Sequence, residues 1–121
     1  MHYTQSHEWI KVTNSTGTIG VSDFAQKELG DIVYVELPEK GSEVQAGKEI
    51  VVLESTKAAA DVYAPISGVV EEVNPNLKDH PELINESPGK EGWLIKIKIK
   101  DPTELDHLMD ETQYQEYIKV K

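Results

Sequence analysis

Short strand-like runs separated by turn residues are the feature of this sequence that most restricts its fold. Most of the runs are rich in Val, Ile, Leu or aromatic residues, as strands are. Gly, Pro and Asn, which favour turns, stand between them. In chain order the runs cover residues 8–12, 18–21, 32–37, 49–54, 58–63, 69–73 and 93–99. Many short strands with frequent turns predict a mostly β fold, an antiparallel sandwich or barrel with helices at its edges.

The segments between the strands predict two short helical pieces. Ser22 can cap a helix that begins at Asp23, and Gly30 can end it. Residues 74–92 are rich in Asn, Pro, Gly and charged residues, which predicts a loop with one helical turn near residues 81–84. Both pieces would connect strands, and so lie at the edges of the sheets.

The C-terminal part of the chain, from about residue 101, predicts two further helices. Asp101 is a capping acid, Pro102 suits the first helical position, and Glu104 is placed to close a capping box. A last helix begins at about Glu111. Its predicted apolar face consists of Tyr114, Tyr117 and Ile118.

The composition excludes several classes of protein. The chain has 121 residues and no cysteine, so it has no disulfide, thiolate metal site or cysteine nucleophile. Its net charge of −10 argues against nucleic acid and membrane as partners, because nucleic acid and anionic membranes attract basic surfaces. The length predicts a single domain over residues 1–121.

Nothing in the sequence predicts a membrane span or a targeting segment. The longest clean apolar run covers residues 50–53, far short of a bilayer span. The N-terminal residues have neither an apolar h-region nor an Arg-rich amphipathic pattern. We therefore expect a cytoplasmic protein, or a protein of the mitochondrial matrix if a transit peptide has been removed.

Candidate catalytic and metal-binding side chains are sparse. The four histidines are scattered at positions 2, 7, 80 and 107, so no metal site is predicted. Ser22 is explained as a helix cap, and Trp9 and Trp93 are expected in the core. No Ser-His-Asp triad, catalytic carboxylate pair or phosphate-binding glycine loop is evident. Catalysis by the chain itself is therefore not predicted.

One lysine stands in an unusual setting. Residues 54–61 read Glu-Ser-Thr-Lys-Ala-Ala-Ala-Asp, between two strand-like runs, so Lys57 is expected at the tip of a hairpin. A lysine at such a tip would project fully into water. Its small neighbours would not obstruct a modifying enzyme, and the hairpin would fix its position. The alternative is an ordinary solvated turn lysine.

This segment resembles the modified-lysine segment of lipoyl and biotinyl carrier domains. In those domains an acid and a small residue precede the lysine, and an Ala/Ser-Pro-x-Ser-Gly turn follows, as in residues 64–68 here. Biotin carriers usually place methionines beside the lysine. The only methionines of this chain are Met1 and Met109, which favours the lipoyl branch.

The resemblance extends, in order, over nearly the whole chain and points to the H-protein family of the glycine cleavage system. The segments that carry it are residues 6–9 (SHEW), 20–26 (GVSDFAQ), 29–38 (LGDIVYVELP), 54–61 (ESTKAAAD), 65–68 (PISG), 83–85 (LIN) and 92–97 (GWLIKI). A lone acid-x-x-Lys-Ala pattern would be weak, but this ordered set is specific. It implies a lipoyl/biotinyl-carrier-like sandwich of antiparallel sheets, the barrel-sandwich hybrid, with short helices at the edges and C-terminus.

The resemblance also implies a function. Lipoic acid would be attached to Lys57 in amide linkage, and the chain would be a carrier, not an enzyme. The lipoyl arm would carry an aminomethyl group from a pyridoxal-phosphate glycine decarboxylase to a tetrahydrofolate-dependent aminomethyltransferase, and electrons to dihydrolipoyl dehydrogenase. A lipoate ligase or octanoyltransferase would attach the group. A role as lipoyl donor in a relay to other carriers is compatible with the same residues.

Further site residues follow from the same resemblance. Ser6, Glu8 and Asp61 match the family's positions for a cleft that shelters the aminomethyl-loaded arm, and Val21 would contribute apolar wall. We expect Glu8 or Asp61 to hold the ammonium of the arm, as the charge sign requires. The alternative for each is an exposed acid at the end of a strand. Glu54 would help the modifying enzyme to recognise the hairpin, or serve only solubility.

Three positions depart from the family pattern. Thr56 and Ala60 stand where the family commonly has Val and Ser, and both changes are small. Glu28 replaces a histidine of some relatives, so no role is transferred to it.

Three other functions compete with the lipoyl carrier: a biotin carrier, a hydrolase and a structural β-domain without a cofactor. The missing flanking methionines argue against the biotin carrier, the lack of a triad or carboxylate pair against the hydrolase, and the ordered motifs against the structural domain.

Overall fold

The computed structural model describes residues 1–120 and contains nine strands. In chain order they are β1 (His2–Tyr3), β2 (Glu8–Thr13), β3 (Thr16–Val21), β4 (Ile32–Glu36), β5 (Glu43–Val44), β6 (Glu49–Ser55), β7 (Ala59–Tyr63), β8 (Gly68–Val73) and β9 (Ile95–Ile99). All seven predicted runs contain a strand. The short strands β1 and β5 were not predicted as strands, because two residues give no alternating pattern.

The strands form two antiparallel sheets. The larger sheet has the order β1-β2-β3-β9-β8-β5, and the smaller has the order β4-β6-β7. The buried apolar side chains of both sheets form one cluster, to which β2, β3 and β9 contribute Ile10, Ile19 and Ile97 and β6 contributes Leu53. The predicted mostly β sandwich of antiparallel sheets is therefore confirmed.

Helix α1 (Asp23–Leu29) begins and ends where the sequence predicts. The Ser22 side chain accepts a hydrogen bond from Ala25 N at 3.2 Å, which makes it the N-cap, and Gly30 is the C-cap. The predicted helical turn is the short helix α2 (Leu83–Glu86), two residues later than expected. These two helices contact each other.

The C-terminal segment differs from the prediction in one detail. Pro102–His107 form a 3-10 helix capped by Asp101, but Glu104 does not close a capping box. Its carboxylate instead accepts hydrogen bonds from Ser67 N at 2.7 Å and Ser67 Oγ at 3.0 Å. The box was wrong because a tertiary partner, 37 residues away, competes for the same carboxylate.

Helix α3 (Glu111–Lys119) is the last helix, and its capping box is formed by Asp110 and Gln113. Tyr114 is the buried residue of its inner face. Its ring stacks on Tyr3 of β1, with ring centroids 4.3 Å apart. Helix α3 is therefore held against the N-terminal edge of the larger sheet.

The two tryptophans differ in their surroundings. Trp9 is buried in β2, and its indole crosses Gly20 of β3, where a Cβ would lie only 2.5 Å from the ring. Trp93 is half-buried, and Lys96 Nζ lies 5.0 Å from the centroid of its ring. The prediction of a core position is confirmed for Trp9 and wrong for Trp93.

Candidate functional site

The tip of the β6–β7 hairpin is fixed by one serine. Ser55 Oγ accepts hydrogen bonds from Lys57 N and Ala58 N and donates one to Ala58 O, each at 3.1 Å. Ser55 N also donates to Ala58 O at 2.8 Å. Such side chain–backbone bonds hold a turn in one conformation. The predicted tip at residues 56–57 is confirmed, and the role of Ser55 was missed although serine is a typical turn residue.

Lys57 is exposed, but its stem does not project fully into water as predicted. A Cβ added at Gly30 would lie 3.3 Å from Lys57 Cε and 3.5 Å from Cδ, so the methylene groups of the lysine lie against this glycine. Long charged side chains commonly place their stem on a surface and leave the amine in water. Within residues 1–120, no carboxylate forms an ion pair with the Lys57 amine.

A groove of about 460 Å³ adjoins the hairpin. It contains all four predicted cleft residues, Ser6, Glu8, Val21 and Asp61. Its other lining residues come from three places: His7 before β2, Phe24, Ala25, Glu28 and Leu29 of α1, and Leu53, Ala60 and Val62 of the hairpin. The groove is thus enclosed by both sheets and by α1, with apolar walls and polar groups among them.

Glu8 is the most enclosed polar group of the groove, with 2% of its surface exposed. Its carboxylate accepts hydrogen bonds from Thr4 Oγ1, from Ser6 Oγ at 2.7 Å and from Tyr63 N at 3.1 Å. The β2–β3 register places Glu8 opposite Val21, which brings the acid and the apolar wall side by side. The alternative of an exposed acid at the end of a strand is wrong for Glu8.

Asp61 and Glu54 lie on the hairpin in different positions. Asp61 is exposed, lines the groove, and stands opposite Val52 in the β6–β7 register. Glu54 is exposed but does not line the groove. A carboxylate in the groove can attract a cation there, whereas one outside it can contact only an approaching partner.

A cluster of His7, Ser22 and Tyr114 adjoins the groove, and His7 belongs to both. His7 has a left-handed backbone, with φ of 73°, and its Nδ1 lies 2.8 Å from the Tyr114 hydroxyl. That hydroxyl is also 2.6 Å from Ser22 Oγ. Burial raises the pKa of the Tyr114 phenol, although the Ser22 hydrogen bond opposes the shift. This contact could not be predicted from local sequence, because Tyr114 lies 107 residues from His7.

The two packed antiparallel sheets, with a lysine at the tip of a hairpin, define a carrier domain of the lipoyl type with the barrel-sandwich fold. The family model described as glycine cleavage H-protein matches residues 1–121. The chain belongs to this family, as the sequence resemblance indicated.

Individual relatives agree with the family assignment. The glycine cleavage system H protein 4 of Aquifex aeolicus is 52% identical over 118 residues, which cover 98% of this chain and 69% of that protein. The glycine cleavage system H protein of Thermotoga maritima is 52% identical over 115 residues, covering 95% and 93%. A crystal structure of the H protein from Mycobacterium marinum superposes with a TM-score of 0.87 at 32% identity, covering 98% and 95%.

Membership of the family supports a lipoyl carrier role in the glycine cleavage system, with the enzymes of that system as partners. The family consists of carrier proteins that bear lipoate. Among residues 1–120, no helix has the length and apolar character needed to cross a membrane. In the same residues, no group of three or more His, Asp or Glu is placed to hold a metal ion.

Proposed function

We propose that this chain is the lipoyl carrier of a glycine cleavage system and that Lys57 is its attachment residue. The observation that carries the proposal is the position of Lys57. The lysine is exposed at the tip of a hairpin whose turn is held by hydrogen bonds to Ser55, and a groove lined by apolar and acidic residues adjoins the same hairpin. An ordinary turn lysine needs neither feature.

The residues present fit a covalently bound lipoyl group. Ser55, Thr56 and Ala58, which flank Lys57, are small enough for a ligase to reach the amine. The groove is large enough for a small apolar chain, and Val21 and Leu29 belong to its apolar lining. Attachment through an amide removes the positive charge of the lysine, so the modified side chain can enter an apolar groove without desolvating an ammonium.

When bound, the lipoyl group would supply a dithiolane that takes an aminomethyl group from the pyridoxal-phosphate glycine decarboxylase, delivers it to the tetrahydrofolate-dependent aminomethyltransferase, and passes electrons to dihydrolipoyl dehydrogenase. The chain itself would do no bond-making and would act as the substrate of these enzymes. Its tether raises the effective concentration of the arm at each partner. Residues 1–121 would work as one carrier domain.

Asp61 and Glu8 are proposed to hold the ammonium of the aminomethyl-loaded arm. Asp61 is exposed, and among residues 1–120 no hydrogen bond or ion pair occupies its carboxylate. A carboxylate offers about four acceptor sites, of which Glu8 uses three on Thr4, Ser6 and Tyr63. Asp61 would therefore make the direct contact, while Glu8 would provide negative charge and about one further acceptor site.

Ser6 and Val21 would complete the cleft. Ser6 Oγ donates to Glu8 and orients its carboxylate, and Val21 excludes water from one wall. Exclusion of water would slow hydrolysis of an aminomethyl group carried by the arm, a reaction in which one water would give a thiol, formaldehyde and ammonium. Glu54 lies outside the groove and is proposed to contact the lipoate ligase or octanoyltransferase.

The test of attachment is intact mass spectrometry. Wild type and Lys57→Arg are incubated with a lipoate ligase, lipoate and ATP. We expect the mass of one lipoyl group on wild type and none on the variant. Lys48→Arg, at an exposed lysine just before the far end of β6, is the matched control and should gain one lipoyl group. No gain on wild type, or an equal gain on Lys57→Arg, would refute the proposal; streptavidin binding after incubation with a biotin ligase would indicate a biotin carrier instead.

A further inference from the structure

The Lys57 stem rests on the chain segment that follows α1. The nearest contact is Gly30, whose backbone angles of φ 84° and ψ −163° belong to a region that is essentially restricted to glycine. A side chain at position 30 would both strain this backbone and crowd Lys57 Cε. The segment thus provides a flat surface, made of backbone, on which the lysine lies.

The hairpin tip is bound to the same segment. Thr56 N donates a hydrogen bond to Asp31 O at 3.0 Å. Both the backbone of the tip and the stem of its lysine therefore lie on residues 30–32, which we call the lysine seat. The position of Lys57 relative to the groove depends on how firmly the lysine seat is held.

One side chain from another part of the chain holds the lysine seat. Asn85 of α2 accepts a hydrogen bond from Ile32 N at 2.8 Å through Oδ1, and it donates through Nδ2 to Gly30 O at 2.9 Å and to Gln26 Oε1 at 3.0 Å. These bonds clamp the lysine seat at both ends and tie it to α1. Both polar atoms of the Asn85 side chain thus bind the lysine seat.

The lysine seat leads directly into the groove. Glu28 and Leu29, the two residues before it, line the groove, and so do Ala60 and Asp61 on the other side of the tip. A stem that lies on Gly30 is therefore already placed at the entrance of the groove. A stem released from Gly30 would turn about the tip through open water.

We propose that Asn85 is a positioning residue that fixes the lysine seat, so that Lys57 is aimed at the groove before and after its modification. The statement about the modified lysine rests on the proposed carrier function, but the statement about the unmodified one does not. Asn85 touches neither the Lys57 amine nor any reacting atom, and it acts only through residues 30–32.

The chain offers a matched control in Asn74. This asparagine is 1% exposed and also makes three side-chain hydrogen bonds: Nδ2 donates to Glu91 O at 2.8 Å and to Trp93 O at 2.7 Å, and Oδ1 accepts from Asn76 N at 3.1 Å. None of its partners lies in the lysine seat or the hairpin. Asn74→Ala therefore removes a comparable set of bonds without disturbing Lys57.

The first experiment uses the unmodified full chain. The nuclear Overhauser effect between the Lys57 side-chain methylenes and Gly30 Hα is measured in wild type, Asn85→Ala and Asn74→Ala. We expect a clear effect in wild type and in Asn74→Ala, and its loss in Asn85→Ala. Urea unfolding of the variants shows whether each is folded. Absence of the effect in wild type, or its retention in Asn85→Ala, would overturn the proposal, as would equal loss in both variants.

A second variant keeps the test decisive if Asn85→Ala does not fold. Asn85→Asp preserves the acceptor for Ile32 N but replaces the donor that binds Gly30 O and Gln26 Oε1. We expect this variant to fold and to show a weakened effect between Lys57 and Gly30. An unchanged effect would contradict the role of the donated bonds.

The second experiment tests the modified chain. Lipoylated proteins are loaded with glycine by glycine decarboxylase, the decarboxylase is removed, and ammonium release is followed. We expect a half-life roughly threefold shorter for Asn85→Ala than for wild type, and no change for Asn74→Ala. Equal half-lives of Asn85→Ala and wild type would refute the aiming of the arm. A wild type that cannot be lipoylated or loaded would instead refute the carrier function, and the two failures are thereby distinguished.

Discussion

Hydrogen bonds fix different groups in two regions of the molecule: the corner of the groove around Glu8, and the hairpin tip around Lys57. At the corner the charged group itself is bound, since three donors hold a carboxylate that is almost wholly enclosed. At the tip the backbone is bound, by Ser55 and by Asp31 O, while the charged end of Lys57 stays in water. The difference is that hydrogen bonds fix the backbone under Lys57 and leave its amine open, whereas in the groove they fix the carboxylate of Glu8 itself.

The largest effect is expected from removing the enclosed acid. Glu8→Ala leaves Tyr63 N without its side-chain acceptor and removes the shared acceptor of the Thr4 and Ser6 hydroxyls, so we expect the free energy of unfolding to fall by about 3 kcal/mol. Asp61→Ala, at the exposed end of the groove, should change it by less than about 0.5 kcal/mol. Urea unfolding at neutral pH measures both. Equal losses would show that the two acids are not held differently.

A second prediction concerns the exposed acid. In the loaded, lipoylated protein, Asp61→Asn removes a charged acceptor from the groove, and we expect the half-life of the aminomethyl group to shorten by about tenfold, the equivalent of about 1.4 kcal/mol. Ammonium release after removal of the decarboxylase measures it. Glu54→Gln also removes one charge from the hairpin, but outside the groove, and should leave the half-life unchanged. If Asp61→Asn and Glu8→Gln both left it unchanged, the assignment of the ammonium site would be wrong.

A smaller effect is expected on the efficiency with which a ligase attaches the lipoyl group to Lys57. Glu54→Gln should lower kcat/KM of a lipoate ligase by roughly threefold, since a single exposed charge contributes about 0.5–1 kcal/mol to a partner contact. Glu49→Gln, an exposed acid at the far end of β6, serves as the control and should have no effect. The effect of Glu54→Gln should diminish as salt is raised, because exposed charges are screened. A loss that is independent of salt would argue against a charge contact.

The smallest effect is expected on folding stability at alkaline pH, through the phenols of Tyr3 and Tyr114. Burial raises the pKa of Tyr3, with Glu111 adding to the shift, and burial also raises the pKa of Tyr114. Each phenol is therefore held neutral in the folded chain. Its contribution to stability is complete below about pH 10, the ordinary pKa of tyrosine, and is lost as the pH rises above that value.

The measurement is unfolding between pH 8 and pH 12, followed by circular dichroism. Tyr3→Phe removes one ionisable phenol but keeps the ring that stacks on Tyr114, so its alkaline transition should lie at higher pH than that of wild type. A transition at the same pH would show that Tyr3 does not contribute. Tyr3 does not line the groove and is not part of the hairpin, so Tyr3→Phe should leave the rate of lipoate attachment to Lys57 unchanged. A changed rate would reveal coupling between the two regions.

Local features of the fold could be predicted because their causes lie within a few residues. Ser22 caps α1 through an N–H three residues away, and the hairpin tip is set by Ser55 and Ala58. The Asp101–Glu104 capping box followed the same local logic and was wrong, since Ser67 supplied better donors to Glu104. A local pattern therefore predicts correctly only where no distant group competes for the same atom.

The candidate site likewise has features that could be predicted from the sequence and features that could not. The resemblance to the family named Ser6, Glu8, Val21 and Asp61 in advance, and the structure brings them into one groove. It did not indicate that Glu8 is enclosed, nor that the Lys57 stem lies on Gly30. Exposure cannot be read from residue type, because it depends on which strands cover the side chain.

The sequence by itself determined the strand pattern, the cap of α1, the lysine at a turn of small residues, and the family. Tertiary structure alone decided the bonds that place these parts relative to each other. Tyr63 N reaches Glu8 across 55 residues, and Asn85 reaches Gly30 across the same separation. The physical reason is that buried polar groups must find partners, and packing of the two sheets and α1 decides which distant groups are near enough to serve.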